Sequence, residues 1–527
     1  MRSLRVDWRN FTKFAGMKAK LVSLAVAAAL AAAAPSAGAQ SAAGYTVSAI
    51  GNGSTGDFAP YFIGSLNGGR VVRKGSALID ARMSVAIDTA RRFSWGAAAE
   101  IVAGYSSENA YDRWIADAGV WGKCANRPSA AWIQQLYGEI KYRSLFLRVG
   151  QKDHRSGLLD ESLSSGDLTR SANARGIPGA AAGFIDFQNI PFTNGWVQIQ
   201  GQIEYGIFTD DGYRDAQFNY YNYVLARDLW YTYKRCYFRT KPTEAFSVTL
   251  GMQTAGQFAG STRKYSQGRL ISAEDRGFRF KDIFRMFFPT QGDTSDGYYE
   301  GNSLGTWDFK ARYRLRDGQE LSFAFQWPWE DGSGIGRRNG WDGLYGLYYT
   351  RPGRGLITGA AVEYIDFRNQ SGPIHWAPGD VSGPTITTEA TGGDDYYNNE
   401  TYGGYANYGM SIGSPVLVSP VYNLNGFSGF AHNCARGVHV AVRGCIGADW
   451  DYTVKYSWQQ AWGRGRVPAA YSQLDNSLMA SASWNARQIL DGLRIDAVVA
   501  FDAGSLRGNN FGVLAGITYS GNLTFRK

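Results

Sequence analysis

The chain has 527 residues, of which 14% are aromatic, 19% charged and 66 glycine, with a mean hydropathy of −0.29. That hydropathy excludes a helical membrane protein, and four cysteines in such a length exclude a disulfide framework. The formal charge of +9 falls to +4 once residues 1–39 are set aside, since they carry six of the 54 Lys and Arg and one of the 45 Asp and Glu; so small a surplus does not mark a nucleic-acid binder.

Those first residues are laid out as a secretory signal peptide. Lys18 and Lys20 precede the apolar run Leu21–Ala34, followed by Pro35 and by Ala37-Gly38-Ala39, so cleavage is expected after Ala39. About 14 apolar residues fall short of the roughly 20 that a spanning helix needs. Met17, directly before the basic residues, is an alternative start. No Cys follows the cleavage site, so a lipoprotein anchor is not expected. Residues 40–527 read as a single domain, because no linker or low-complexity hinge divides them.

From about residue 80 onward the dominant signal is a period of two. Tyr142-Arg143-Ser144 reads as a tight turn, and Leu158–Ala182, with less β character, as short helices or a plug. In Trp196–Gly206, Val197, Ile199, Gly201, Ile203 and Tyr205 face one way and Gln198, Gln200, Gln202 and Glu204 the other. Alternation over about 10 residues is the length of a tilted bilayer-crossing strand. Phe246–Met252 follows suit. Phe309–Arg316 then sets Lys310, Arg312, Arg314 and Arg316 against Phe309, Ala311, Tyr313 and Leu315. Four cations in a row do not suit a packed core, where each unpaired charge costs several kcal/mol; they suit a hydrated lumen with acidic partners, or the solvated face of a surface strand. Arg316–Gln319 reads as a second tight turn, ahead of strand Leu321–Trp327.

Glu330–Gly340 and Gln370–Asn399 read as long loops. Val438–Arg443 alternates between Cys434 and Cys445, which one extended strand would hold ~35 Å apart, so free cysteines or at most one inter-loop bridge are expected. Val454–Trp458, Leu493–Phe501 and Phe511–Tyr519 complete the series. Tyr205, Trp327, Tyr364, Trp458, Phe501 and Tyr519 at segment ends fit an interfacial girdle. The fold class is therefore all-β, a transmembrane antiparallel barrel of 16–20 strands, with long loops outside and short turns in the periplasm.

A set of ordered motifs now carries a resemblance. Tyr137-Gly138-Glu139-Ile140 and Val149-Gly150-Gln151-Lys152 precede Leu163-Ser164-Ser165-Gly166, Ser171-Ala172-Asn173-Ala174 and Ile177-Pro178. Ile190-Pro191-Phe192-Thr193-Asn194-Gly195-Trp196 closes this block. Later come Asn302–Asp308, Trp329–Gly334, Trp341–Leu344, Gln370–Pro373 and Asp394–Asn399. In this the chain resembles the Wzi-type capsule-assembly family of outer-membrane proteins over residues 60–520. Two stretches depart from that pattern: Leu229–Lys234 and Gly251–Phe258 lack the histidines expected of it. The resemblance implies a barrel of about 18 strands with short helical plug elements on the periplasmic side. It implies a non-enzymatic lectin that retains capsular or other surface polysaccharide, with no cofactor, in contact with outer-membrane lipid and lipopolysaccharide, and expected to be a monomer.

Sugars are recognised by aromatic faces and by paired carboxylates and amides. Two loop clusters offer both: Trp329, Glu330, Asp331, Trp341 and Asp342, and then Asp394, Asp395, Tyr396 and Tyr397 with Asn398 and Asn399. Each also has a bland reading, girdle and turn chemistry for the first and loop-on-loop packing for the second. Neither Asp293/Asp296 nor Asp394/Asp395 matches a calcium-loop spacing, and four histidines without H-x-x-x-H spacing argue against zinc. A porin or substrate channel is the alternative function. A barrel hydrolase would need a Ser–His pair with an orienting group, and His154, His375, His432 and His439 lie in no such motif.

Overall fold

The computed structural model describes residues 42–287, 301–330, 339–372, 375–376, 390–391, 393–465 and 467–524. The leader, Asp293/Asp296 and Asp331 lie outside them.

Eighteen antiparallel strands close into a barrel. They are β1 (Ala42–Phe58), β2 (Arg73–Val85), β3 (Phe93–Ser106), β4 (Ala131–Tyr142), β5 (Leu145–Gln151), β6 (Gly179–Phe184), β7 (Val197–Ile207), β8 (Trp230–Thr240) and β9 (Phe246–Phe258). The second half comprises β10 (Asn302–Arg314), β11 (Glu320–Glu330), β12 (Gly343–Thr350), β13 (Gly359–Asp366), β14 (Ala435–Ile446), β15 (Trp450–Arg464), β16 (Val467–Asn485), β17 (Leu493–Gly504) and β18 (Asn510–Thr524). A short piece, Gln188–Asn189, continues β6 along β7. Each strand pairs with the next, and β1 pairs with β18 from Ala42↔Thr524 to Ser54↔Gly512, so no edge is left open. Closure satisfies the backbone of every strand without water, which the hydrocarbon layer demands.

The barrel starts well before residue 80. Strand β1 is rich in Gly, Ser, Asn and Thr and carries little hydrophobic contrast; two neighbours, β2 and β18, hold it in place instead of its own pattern.

The two-residue period sorts side chains as expected. Ile79, Leu147, Leu250, Leu321, Leu347, Val362, Val499 and Ile517 stand exposed on the outer face. Gln200, Glu204, Gln253, Asp308, Gln326 and Glu363 point inward and are buried. Aromatic residues run across the outer face in register: Phe309↔Phe325, Phe325↔Tyr345 and Tyr345↔Tyr364 are cross-strand pairs, with Phe325 and Tyr345 rings 4.7 Å apart. Trp450 and Trp484 stack at 5.8 Å, and Tyr45 lies 5.9 Å from Tyr519. All four of these stand near the end of the barrel where both chain termini lie.

At that end the connections are short, the longest being residues 185–196, which include the Gln188–Asn189 piece, and then 351–358, and they include the expected turns at 143–144 and 315–319. Connections at the opposite end include residues 107–130, 152–178, 208–229, 259–301 and 367–434. Small hairpins grow from them: Asn109–Ile115 with Val120–Asn126, and Tyr223–Arg227 with Gly260–Ser266 and Arg269–Arg276.

The core lies inside the barrel. Residues 152–178 fold down into the lumen, and residues 393–434 pack on top of them. Leu163, Leu168, Ala174 and Ile177 from the first segment join Tyr397, Tyr405, Ile412, Leu417 and Phe430 from the second, against Tyr231, Tyr233, Leu304 and Leu344 of the wall. Backbone polar groups of this irregular chain find barrel side chains as partners, as burial requires. The Ser165 N–H donates to Glu363, the Leu168 N–H to Gln326, and Thr169 shares a 3.0 Å hydrogen bond with Thr306. The segments also bind each other: the Ser171 N–H donates to the Ile412 carbonyl at 2.9 Å, and the Tyr405 hydroxyl to the Thr169 carbonyl at 3.0 Å. Gly413 marks the closest approach, where a Cβ would stand 2.4 Å from the Leu168 carbonyl oxygen.

The expected helical plug on the periplasmic side takes a different form. Residues 152–178 contain no helix, and the in-folded chain issues from the long-connection end. Ser156, Asp160, Asp167 and Ser171 cap local turns with their own side chains, which competes with helical hydrogen bonding. Helices among the described residues are the short α-helices Tyr61–Gly64, Tyr213–Gln217 and Phe280–Phe287 and the 3-10 turn Pro420–Tyr422, and none is long and apolar enough to cross a membrane. All four cysteines, Cys124, Cys236, Cys434 and Cys445, are unpaired.

Candidate functional site

Most of the sequence-selected sugar ligands are turned inward. Trp329 is buried, packed over Gly305. Glu330 accepts the Tyr397 N–H at 2.6 Å. Asp342 accepts from the Asn369 and Gln370 N–H groups (2.9 and 2.8 Å) and from the Tyr396 hydroxyl at 2.9 Å. Burial pushes its carboxyl up to about 6 against the pull of those donors. Asp394 accepts the Ser371 hydroxyl, and Asp395 binds Arg464 at 2.6 Å and the Asn433 amide at 2.6 Å. The Tyr397 hydroxyl donates to the Leu168 carbonyl of the other in-folded segment. These residues join the two segments and tie them to the wall; Trp341, at 83% exposure, is the one among the described members of the set that faces solvent freely.

The cation row divides in the same way. Lys310 donates to the Leu158 carbonyl at 3.0 Å, fastening residues 152–178 from below, and Arg312 donates to the Pro242 carbonyl at 3.0 Å. Arg314 lies at the mouth, 3.5 Å from Glu320, and Arg316 is exposed in the turn beyond the end of β10.

His439 and Ser457 face each other across β14 and β15 with Nδ1 and Oγ 2.8 Å apart. The other ring nitrogen, Nε2, is bonded to the Leu163 carbonyl at 2.8 Å, and both side chains are 1% exposed. The pair is sealed beneath the in-folded segment and anchors it. Among the described residues, no group of three or more His, Cys, Asp or Glu is placed to hold a metal ion.

Two features escape a linear reading. At the long-connection end, Trp114 and Trp121 pair across a hairpin with ring centroids 5.7 Å apart, and Tyr221 joins them at 5.2 and 4.8 Å. Trp121 is 48% exposed. Connections 107–130, 208–229, 259–301 and 367–434 meet here: the Trp114 N–H donates to the Asn219 carbonyl, the Gly268 N–H to that of Tyr221, and the Asp112 N–H to that of Leu424. Arg113 lies 4.6 Å over the Tyr220 ring, and Lys123 pairs with Asp112 at 2.7 Å. Rigid aromatic faces bordered by charged side chains are suited to stacking on sugar rings. The signal in the sequence was one Trp on either side of the turn Ala116-Asp117-Ala118-Gly119.

The second is a cavity of about 360 Å³ within the barrel, lined by Arg70, Arg82, Arg148, Arg170, Arg235 and Lys152 among others. Its cations come from β2, β5, β8 and two separate connections, so no single stretch announces it.

No known family profile matches the sequence, and no curated protein matches it. Solved structures do. The Escherichia coli protein Wzi, described as an outer-membrane protein involved in group 1 capsule assembly and a carbohydrate-binding β-barrel, is 13% identical, with 92% of this chain and 85% of that chain covered and a TM-score of 0.53. Pseudomonas aeruginosa OccK3 (OpdO) is 11% identical over 92% of this chain and 96% of that one, at a TM-score of 0.45. Pseudomonas aeruginosa OprD is 8% identical over 92% and 96%, at 0.42. The chain thus has the fold of the 18-stranded outer-membrane β-barrels.

Proposed function

We propose that this chain is a plugged barrel of the bacterial outer membrane that holds capsular or related surface polysaccharide at the cell exterior, without covalent chemistry or a cofactor. The observation that carries this reading is the filled lumen: two in-folded segments pack against each other and the wall, so the working surface is the long-connection rim. There the Trp114–Trp121–Tyr221 cluster and Trp341 offer aromatic faces to solvent. The capsule-assembly motifs and the likeness to a carbohydrate-binding barrel support the same reading.

Cells lacking the protein are expected to shed polysaccharide into the medium while still making it; unchanged retention would sink the proposal. In a binding assay with the purified protein in detergent, Trp121→Ala is expected to weaken polysaccharide binding about tenfold, the worth of one stacked aromatic face.

A second reading, solute passage, is favoured by the cationic cavity. The two part on electrical behaviour, since a channel conducts steadily across a lipid bilayer and a plugged barrel does not.

A further inference from the structure

The cavity lies between residues 152–178 and the wall formed by β2, β4, β5, β7 and β8, in the half of the lumen nearer the short-turn end. Its lining holds seven cations, Arg70, Arg82, Arg148, Lys152, Arg155, Arg170 and Arg235, and one carboxylate, Asp153. Five of the cations are answered by acids. Arg70 binds Asp80 at 3.0 Å, Asp153 at 2.7 Å, and Glu100, which also lies 4.0 Å from Arg82. Arg148 and Arg170 share Glu204 at 3.0 and 2.9 Å, and Lys152 binds Glu139 at 3.1 Å.

Arg155 and Arg235 have no carboxylate at ion-pair distance among the described residues, Arg155 acting on Glu161 only at longer range, so this small volume carries a surplus of positive charge. A second observation also points to a missing ligand. His154 lines the cavity, is 3% exposed, and both of its ring nitrogens lack a hydrogen-bond partner among the described residues. Buried polar atoms in native proteins are normally satisfied, so such an orphan calls for an explanation. Burial and the neighbouring Arg170 hold this imidazole neutral, its pKa lowered to about 3, so it offers one donor and one acceptor.

We infer that this cavity binds a carboxylate-bearing sugar, of the hexuronate class, with the carboxylate on Arg235 and Arg155. This is a site separate from the aromatic rim, and it stands or falls independently of what the rim holds. The guanidinium fork matches a carboxylate in bidentate geometry. Of the other polar groups in the lining, the Gln202 amide and neutral His154 match hydroxyls, while the Ser156 hydroxyl is spent on Asp167 and on the Leu158 and Leu159 N–H groups. Its volume lies in the range of small-molecule pockets, about 300–1,000 Å³, and a bare inorganic anion would leave most of it unfilled. Arg155 is exposed and the Arg82 side chain is 39% exposed, so the cavity is open to solutes from the short-turn side.

The test is calorimetric titration of the full-length protein in detergent with galacturonate, glucose and inorganic phosphate. Galacturonate is expected to bind, more weakly at high salt, and glucose and phosphate are not. Arg235→Gln and Arg155→Gln should each weaken galacturonate binding about tenfold or more. Neither change strands a buried carboxylate, so both variants are expected to fold, with strand content by circular dichroism as the check. No binding of galacturonate, equal binding of glucose or phosphate, or full affinity in both folded variants would each overturn the inference.

Discussion

Asp167 is the acceptor on which the in-folded segment turns, and replacing it with alanine should loosen the plug while leaving the barrel intact. Its carboxylate accepts from the Ser156 hydroxyl at 2.6 Å, from the Thr169 and Arg170 N–H groups at 2.9 and 3.2 Å, and from the Gln253 and Gln326 amides at 3.1 and 3.0 Å. The two amides still reach Asp308, at 2.9 and 3.1 Å, so they are not stranded by the change. The two buried backbone groups lose this acceptor, at about 1–3 kcal/mol for each buried donor left unsatisfied, while the half-buried Ser156 hydroxyl can turn to water. At about 1.5 kcal/mol apiece they sum to roughly 3 kcal/mol, or about a hundredfold in the equilibrium between docked and undocked segment. Hydrogen exchange read by mass spectrometry reports this opening directly. In Asp167→Ala, amides of residues 164–171 should lose about a hundredfold in protection, while those of β12 stay unchanged. Asp167→Asn, which keeps one acceptor but turns an NH₂ group toward the glutamine amides, should fall between. Protection within about threefold of wild type in Asp167→Ala would refute the claim that this network holds the plug.

Glu161 gives the plug a pH dependence. Its carboxylate accepts the Ala172 N–H at 2.7 Å, and burial raises its pKa to about 7. A carboxyl raised in the docked state favours docking fully below its undocked pKa of about 4.3 and loses that contribution as pH climbs through about 7, worth on the order of 3 kcal/mol. Proteolysis within residues 152–178 should therefore quicken between pH 5 and 8, and Glu161→Gln should flatten the trend; an equally steep trend in the variant would exclude Glu161 as its source. On the outer face, Val362→Arg puts a charge in mid-strand toward lipid, at about 2–4 kcal/mol near the bilayer midplane. Urea unfolding of protein folded into vesicles should show that loss, and an unchanged midpoint would mean that Val362 does not face hydrocarbon.

The barrel was legible because lipid on one side and a polar lumen on the other impose alternation on every crossing strand. The row Gln198, Gln200, Gln202, Glu204 predicts an inward face, and Glu204 indeed meets Arg148 and Arg170 there. Strand β1 was missed because Gly, Ser and Asn give it no contrast to read. The loop clusters were found as compositions but not as positions. Whether Tyr397 faces solvent depends on Leu168, and composition says nothing about which loops turn back into the lumen. For the same reason the cationic cavity stayed hidden: alternation shows that Arg82, Arg148 and Arg235 point inward, but not that they converge.

The polysaccharide-holding role rests on a lumen that is closed. The direct measurement is the current through the purified wild-type protein inserted into a planar lipid bilayer. A closed lumen predicts insertion without steady conductance, with brief openings at most, and sustained openings only when the Asp167 network is cut. A constant ohmic current from each inserted wild-type molecule would contradict it, and would move the chain from the polysaccharide holders to the channels.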